Sequence, residues 1–283
     1  MDIQEEIKKP AVSASMITSY SMCGEAYRRR YIDKDIRPSS LAATKGTVFH
    51  SLAQFNNKYK LEKRVDQELD VLQDYVAQKV DEAFQDEIYL TPDEKTVGKD
   101  GLKDQSMFLL TSIAPEYKMN NNLIMPRAVE TPERLVLPNS DQDILFTMDI
   151  ETMDDDIVDY KFTKKKKSQN DVNQNLGLTA YSLAFYSRHK KLPRKVAFHN
   201  YGAYVTPARQ ELKTFFNPLY ATRDVVDFQN FLQRSTEMLK AIKAGIFMPA
   251  AIGSWNCSSK WCQYYGDCKF VNSARTEAAK DDE

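Results

Sequence analysis

Three short segments in the middle of the chain read as β-strands, and they constrain the fold more than any other feature. The segments are AVETPERLVLP, DILFTMDIETM and DIVDYKF, and turn-forming Asn, Ser and Asp residues separate them. Segments with helical patterns lie on both sides, and a further strand, KVAFHNYGAYV, follows later. This order predicts an α/β fold with a mixed central β-sheet flanked by helices.

The helical segments set the expected organisation of the chain. SASMITSYSMCGEAYRRRYI has N-cap candidates at Ser13 and Ser15, and TKGTVFHSLAQFNNKYKLEKR predicts a second helix entered through Gly46. Residues 60–120 are charged and rich in helix formers, which indicates a helical insertion. We therefore expect a flexible arm (1–12), one domain (13–270) with an insertion at about 60–120 and a cysteine-rich tail (255–270), and a disordered end (271–283).

Composition limits the classes of partner. The 283 residues carry a formal net charge of −1, so a nucleic-acid surface would have to be a local patch. No apolar stretch reaches the ~18 residues of a membrane span, and MDIQEEIKKP lacks the apolar core of a secretory signal. We expect a soluble cytoplasmic protein without a membrane partner.

Acidic residues near the ends of two adjacent strands form a candidate catalytic site. Asp159 and Lys161 are two residues apart and share one face of a strand, and hairpin pairing brings Asp149 near Asp159. Two such carboxylates repel unless a cation lies between them, and Mg²⁺ or Mn²⁺ prefers oxygen ligands of this kind. A bound metal and Lys161 could together hydrolyse a phosphodiester. The alternative is an exposed strand edge with paired charges.

Two basic runs are candidates for phosphate contacts. Arg28, Arg29 and Arg30 form one run, and the other follows the Asp-x-Lys segment directly: Lys164, Lys165, Lys166 and Lys167. Such contacts are independent of base sequence and sensitive to salt. A solvated basic loop is the alternative for either run.

Three of the four cysteines, Cys257, Cys262 and Cys268, lie within twelve residues near the C-terminal end, and Cys23 is far away in the sequence. Disulfides are rare in reducing compartments, whereas thiolates favour zinc or iron–sulfur clusters. The spacing does not distinguish these two metal centres, and four free thiols remain the alternative.

Six segments, in order, resemble motifs of the PD-(D/E)xK nuclease superfamily, specifically its RecB-like branch. SASMITSYSMCGEAYRRRYI is similar to the opening Ser-x-Ser…Cys helix, and KGTVFHSL to a Gly-x-x-x-His motif. FTMD and IVDYKF fall at the Asp and Asp-x-Lys motifs, LGLTAYSLAF at the Gln-x-x-x-Tyr helix, and SWNCSSKWCQYYGDC at the cysteine cluster. The resemblance runs from about Ser13 to Phe270 and implies a restriction-endonuclease-like core.

The resemblance assigns roles to the acidic site. It implies that Asp149, Asp159 and the backbone carbonyl of Tyr160 bind Mg²⁺ or Mn²⁺, and that Lys161 is catalytic. His50 would bind the metal or orient a ligand. The family often adds a Glu on the preceding strand, which is Glu130 or Glu133 here.

Two positions depart from the family pattern. Phe146 stands where the family has Gly, and Gly177 stands where it has Gln. Gln174, one helical turn earlier, could replace that Gln beside Tyr181, and both are candidate substrate contacts.

The resemblance also implies that Cys23, Cys257, Cys262 and Cys268 hold one [4Fe–4S] cluster, with Zn²⁺ as the alternative. We expect a metal-dependent DNA exonuclease acting on single-stranded ends in recombination, repair or phage DNA metabolism, in a bacterial or phage-infected cell. A recombination or replication protein is an expected partner. The alternative function is a catalytically inactive DNA-binding or assembly protein that keeps the nuclease fold.

Overall fold

The computed structural model describes residues 11–137, 140–206 and 208–271. Its strands are β1 (Ala11–Ser13), β2 (Pro126–Leu135), β3 (Asp143–Thr152), β4 (Asp156–Phe162), β5 (Lys195–Val205) and β6 (Leu212–Ala221). Its α-helices are α1 (Ala14–Met22), α2 (Gly24–Tyr27), α3 (Leu41–Lys63), α4 (Leu69–Ala83), α5 (Pro92–Val97), α6 (Lys99–Asn121), α7 (Gln169–Asn173), α8 (Leu176–His189) and α9 (Val225–Lys243). A π-helical turn (Arg28–Ile32) and a 3-10 turn (Tyr265–Asp267) complete these elements.

The strands form one mixed six-stranded sheet with β3 at its organising position. One edge of β3 pairs antiparallel with β2 along most of its length, while its other edge pairs with β1 at Asp143–Leu145 and with β4 at Ile150 and Glu151. The sheet continues through β5, parallel to β4, to β6, antiparallel to β5. The predicted mixed α/β fold is confirmed.

Helices cover both faces of the sheet. One hydrophobic core joins α3, α4 and α6 to Ile150, Val158 and Tyr160. On the opposite face, α1, α8 and α9 pack around Phe146, and a smaller cluster joins α8 to Ile157. The helices around this sheet therefore hold β3 and β4 from both sides.

A buried polar network ties the helices to strand β4. The Tyr160 hydroxyl donates to Asn121 Oδ1 at 2.6 Å and accepts from Asn57 Nδ2 at 3.2 Å. Lys60 Nζ donates to Asp66 Oδ2 at 2.9 Å and to the Asn121 carbonyl at 2.7 Å. Buried polar groups are costly unless they are hydrogen-bonded, so these contacts specify how α3 and α6 dock on the strand.

Several boundaries differ from those expected. Ser13 is the N-cap of helix α1, as expected. Helix α3 begins at Leu41 instead of Gly46, because the Ser40 hydroxyl accepts from the Ala43 N–H and caps the helix. Strand β6 was not anticipated, because Pro218 and exposed polar residues obscure its pattern.

The expected insertion at 60–120 contains α4, α5 and most of α6. Residues 11 and 12 of the expected arm belong to β1, and the rest of that arm, like residues 272–283 of the expected tail, lies outside the described residues. Within the described part of the chain, no helix combines the length and apolar character needed to cross a membrane.

Candidate active site

The site forms where β3 and β4 separate. The two strands pair only at Ile150–Val158 and Glu151–Ile157, and beyond these pairs they diverge. The N–H of Tyr160, which would otherwise have lost its strand partner, donates to Asp149 Oδ2 at 2.9 Å. The Asp149 side chain therefore takes the place of a backbone acceptor and is held in the gap between the strands.

Asp159 and Lys161 project from β4 into the same region. Asp159 is buried and Lys161 is partly buried, and the Lys161 ammonium forms an ion pair with Asp159 Oδ2. That oxygen has no other partner among the described residues. Lys161 also lies over the Phe198 ring, 5.3 Å from its centroid, which limits its movement.

Helix α3 brings His50 to the acidic pair. Its Nδ1 lies 3.1 Å from Asp149 Oδ2. Burial acts to lower the pKa of His50, but the hydrogen bond to Asp149 and the charge of that carboxylate outweigh burial. The pKa of His50 is therefore raised. With Nδ1 donating to Asp149, the other ring nitrogen, Nε2, is left for a ligand.

The pKa values of the two carboxylates shift in opposite directions. Burial raises the pKa of Asp159, and the Asp149 charge adds to this, although Lys161 opposes it. Burial also acts to raise the pKa of Asp149, but the hydrogen bond and charge of His50, with Lys161 and the Tyr160 N–H, lower it overall. Burial acts to lower the pKa of Lys161, yet Asp159 and Asp149 raise it, so this lysine stays protonated.

The structure distinguishes the two candidate glutamates. Glu130 falls between the pairs Val129–Ile150 and Thr131–Met148 and therefore lies opposite Asp149. Burial and the Asp149 charge raise the pKa of Glu130, and its φ of 49° is in the left-handed region that non-glycine residues rarely occupy.

Glu133 belongs to a different cluster. It lies 3.1 Å from Arg188, which also binds the buried Glu151 at 2.6 Å. Only Glu130 of the two therefore approaches the acidic pair.

The departures from the family pattern have structural counterparts. Phe146 packs against Tyr181, with ring centroids 5.3 Å apart, so its side chain fills the space between β3 and α8. Tyr181 lies near the site: burial raises its pKa, and the charges of Asp159 and Asp149 raise it further. Gly177 is at the start of α8, and Gln174 is exposed at the end of α7, without a described side-chain contact to the acidic residues.

The basic runs differ in availability. Arg28 is bonded to Glu25 and Asp33, and Arg29 to Asp35 and Asp267, so this run is largely used in structural ion pairs. In the lysine run, Lys167 lies 3.5 Å from Asp171 and Lys166 lies over the Phe215 ring. Lys164 and Lys165 are exposed and have no carboxylate partner among the described residues, so they are the free cations beside the site.

The donor chemistry of the site fits Mg²⁺ or Mn²⁺. Two buried carboxylates, a nearby backbone carbonyl and an imidazole are present, and the Lys161 ammonium is the one partner of Asp159 Oδ2 among the described residues. As the side chains lie, Asp159 faces Lys161 and Asp149 faces His50. Accordingly, no group of three or more His, Cys, Asp or Glu side chains in the described chain is arranged to hold a metal ion.

The two ends of the described chain meet around the cysteines. The Gly24 N–H donates to the Met248 carbonyl at 2.7 Å, where a side chain at Gly24 would collide with Met248 backbone atoms 2.8 Å away. Tyr264 donates to the Asp35 carbonyl at 2.7 Å. These contacts hold the N-terminal helices against the cysteine-rich tail.

Two of the cysteines have a raised pKa to which the other cysteines contribute. Burial raises the pKa of Cys257, and the thiolates of Cys23 and Cys268 add to this. Burial likewise raises the pKa of Cys262, and all three other cysteines contribute. The thiols are therefore neighbours, although they do not form a metal-holding group in the described chain, and the predicted cluster stays a prediction.

A family model of the PD-(D/E)XK nuclease superfamily matches residues 11–269, so the chain belongs to this superfamily and is a nuclease by family. Members of this superfamily generally use divalent metals such as Mg²⁺ or Mn²⁺ and act on DNA.

Comparisons with individual proteins add little. No curated protein matches the chain. A provisionally named exonuclease from Eubacterium rectale shares 14% identity, with 99% of each chain covered and a TM-score of 0.49. The structure of SSO0001 shares 11% identity, covering 92% of this chain and 96% of that one, with a TM-score of 0.33. At these values the likeness carries no functional information.

Proposed function

We propose that this nuclease is a metal-dependent DNA exonuclease of the RecB-like branch, with its active site at the divergence of β3 and β4. The observation that carries the proposal is the convergence of Asp149, Asp159, Lys161 and His50 in one region, where both carboxylates are buried. Their sequence separation makes this convergence a property of the fold. Burying two carboxylates side by side costs folding free energy, which a solvated strand edge with paired charges would not require.

Asp149, Asp159, the Tyr160 carbonyl and His50 Nε2 would hold Mg²⁺ or Mn²⁺. Such an ion lowers the pKa of a bound water and neutralises charge on the scissile phosphate. Glu130, opposite Asp149, is a further oxygen donor within reach of this region.

The protein groups have separate tasks in the proposed reaction. Asp149, fixed by the Tyr160 N–H and His50, positions the imidazole, as carboxylates do for metal-binding histidines. Lys161 keeps its proton and places a positive charge where negative charge develops on the phosphate oxygens. Tyr181 lines the same region from α8 and is a candidate substrate contact.

DNA with single-stranded ends is the proposed substrate. Lys164 and Lys165 follow Lys161 by three and four residues, are exposed, and would contact the phosphate backbone. Contacts of this kind hold DNA without selecting a sequence, which suits an enzyme of recombination, repair or phage DNA metabolism. A recombination or replication protein is the proposed partner.

The cysteines are proposed to hold a structural metal centre, [4Fe–4S] or Zn²⁺. The coupling of Cys257 and Cys262 to Cys23 and Cys268 supports a shared centre. Such a centre would join the chain ends and limit the unfolded ensemble.

A comparison of linear and covalently closed DNA tests this function. With Mg²⁺, we expect the protein to degrade end-labelled linear DNA and to leave single-stranded circles intact. Asp159→Asn should abolish degradation, because it removes an anionic ligand without changing shape, whereas Asp70→Asn, on the exposed side of α4, should not. Cleavage of circles would indicate an endonuclease. Binding of DNA without cleavage of either substrate would support the inactive alternative.

A further inference from the structure

The two tryptophans of the chain lie together on the cysteine-rich tail. Trp255 and Trp261 are 66% and 58% exposed, and their rings meet edge to face with centroids 5.7 Å apart. Phe270 of the same tail and Ile252, just before it, are also exposed. Large exposed aromatic surface of this kind marks an interaction site more often than a random surface does. We call Trp255 and Trp261 the tail platform.

The charges around the tail platform favour a polyanion. Lys260 lies over the Trp261 ring at 5.9 Å, and Lys269 lies over the Phe270 ring at 5.0 Å. Asp267 is the single acidic residue in positions 246–271, and Arg29 and Arg37 neutralise it. Lys269 also faces Glu25, whereas Lys260 has no carboxylate partner among the described residues. An aromatic face beside such a lysine is the combination that binds unpaired bases and their phosphates. A purely apolar protein partner would gain nothing from these cations.

The tail also lies close to the start of the helix that carries His50. Gln263 Nε2 donates to the Pro38 carbonyl at 2.5 Å, and Tyr89 donates to the Ser259 carbonyl at 3.5 Å. Helix α3 begins at Leu41, and a rise of about 1.5 Å per residue places His50 about 14 Å further along.

Two lysines lie along this route. Lys45 is in the first turns of α3; burial lowers its pKa, the charge of Glu94 opposes this, and the charge of Lys164 lowers the pKa further. Lys164 and Glu94 therefore both lie near Lys45, so one acid accompanies these two cations.

We propose that the tail platform stacks unpaired bases of single-stranded DNA and leads its end along α3 to the site at Asp149 and Asp159. This inference rests on the proposed nuclease function and assigns a binding surface to its single-stranded substrate. The perpendicular rings of Trp255 and Trp261 present two faces to a flexible strand, and stacking on them is independent of base sequence.

Intrinsic fluorescence tests the tail platform directly, because both tryptophans of the chain belong to it. Full-length Lys161→Ala protein is titrated with oligothymidylate without added divalent metal, so that the probe stays intact. We expect saturable quenching with the same Kd as the fluorescence anisotropy of a labelled oligothymidylate. Binding detected by anisotropy without quenching would overturn the inference.

Substitutions provide the second arm. Trp261→Ala should weaken oligothymidylate binding about 5- to 150-fold, the loss expected for one base stack. Trp261→Phe, which keeps an aromatic face, should retain most of the affinity, and Phe108→Ala, at an exposed aromatic on α6, should change nothing. Equal affinity in all three variants would refute the platform.

The two proposals fail in different ways. If wild-type protein cleaves single strands and the Trp261→Ala variant binds them equally well, the nuclease function stands and the platform falls. If double-stranded DNA quenches and single-stranded DNA does not, the substrate class is wrong. If the protein neither cleaves nor binds DNA, the proposed function itself fails.

Discussion

Two tyrosines on neighbouring strands make a matched pair for Tyr→Phe substitution. Tyr160 and Tyr201 are fully buried on the same side of the sheet, with ring centroids 6.4 Å apart. The Tyr160 hydroxyl donates to Asn121 and accepts from Asn57, whereas the Tyr201 hydroxyl has no hydrogen-bond partner among the described residues. The same chemical change therefore removes hydrogen bonds at one position and an unsatisfied polar group at the other.

The expected magnitudes follow from the partners left behind. After Tyr160→Phe, Asn57 Nδ2 still donates to the Ala53 carbonyl and to Tyr117, but Asn121 Oδ1 loses its described donor in a fully buried position. A stranded buried acceptor costs about 1–3 kcal/mol of unfolding free energy. Tyr201→Phe should be neutral or should stabilise by up to about 1 kcal/mol, because it removes a hydroxyl that is buried without a partner.

Equilibrium urea unfolding at neutral pH measures both variants, with the midpoint shift interpreted at constant denaturant slope. Tyr160→Phe should also raise the Mg²⁺ concentration needed for half-maximal cleavage, because the Tyr160 backbone binds Asp149 and its side chain anchors that strand. Tyr201→Phe should leave this requirement unchanged. Equal destabilisation by the two substitutions would refute the account of the buried network.

Three further predictions concern other sites. Burial lowers the pKa of His199 to about 4, so the unfolded state takes up the proton first as pH falls below about 6.5. Between pH 7 and pH 5, wild type should therefore lose about 2 kcal/mol more unfolding free energy than His199→Phe. Equal losses in the two proteins would contradict this. Replacing Lys164 and Lys165 together by Ala should reduce the slope of log K for DNA binding against log salt concentration by about 1.4 to 1.8. Replacing both by Arg, which keeps the charge, should leave this slope unchanged. An unchanged slope in the Ala variant would show that these lysines are only solvated. Cys23→Ala should remove the metal from protein purified without oxygen, as measured by metal analysis and visible absorption, and wild-type protein without metal would refute the shared centre.

Strands β2 to β5 and the placing of Lys161 beside Asp159 were predictable from local pattern, whereas β1 and β6 were not. Apolar and polar residues alternate from Phe146 to Glu151, and side-chain parity alone puts Lys161 beside Asp159. The sequence could not show that β3 and β4 separate after two pairs, since strand register depends on partners far away in the chain. That separation is what frees the Tyr160 N–H for Asp149.

Long-range packing explains most of what was missed. Alternation could not choose between Glu130 and Glu133, because a left-handed φ at Glu130 breaks the regular strand pattern. The sequence could not show whether Arg28 and Arg29 contact phosphate, because one of their carboxylate partners, Asp267, lies in the distant tail. The exposure of Trp261 could not be inferred, since an indole in a short cysteine-rich segment is equally consistent with a small core.

Cleavage by the Lys161→Ala variant tests the central claim most directly. The account predicts that wild-type protein degrades linear DNA only when Mg²⁺ or Mn²⁺ is added. Lys161→Ala should lower this rate about 100- to 1000-fold, because it removes the preorganised positive charge at the phosphate. Lys213→Ala, at an exposed lysine on β6 paired with Glu211, should cleave at the wild-type rate. Metal-dependent cleavage at the wild-type rate by Lys161→Ala would contradict the assignment of this site.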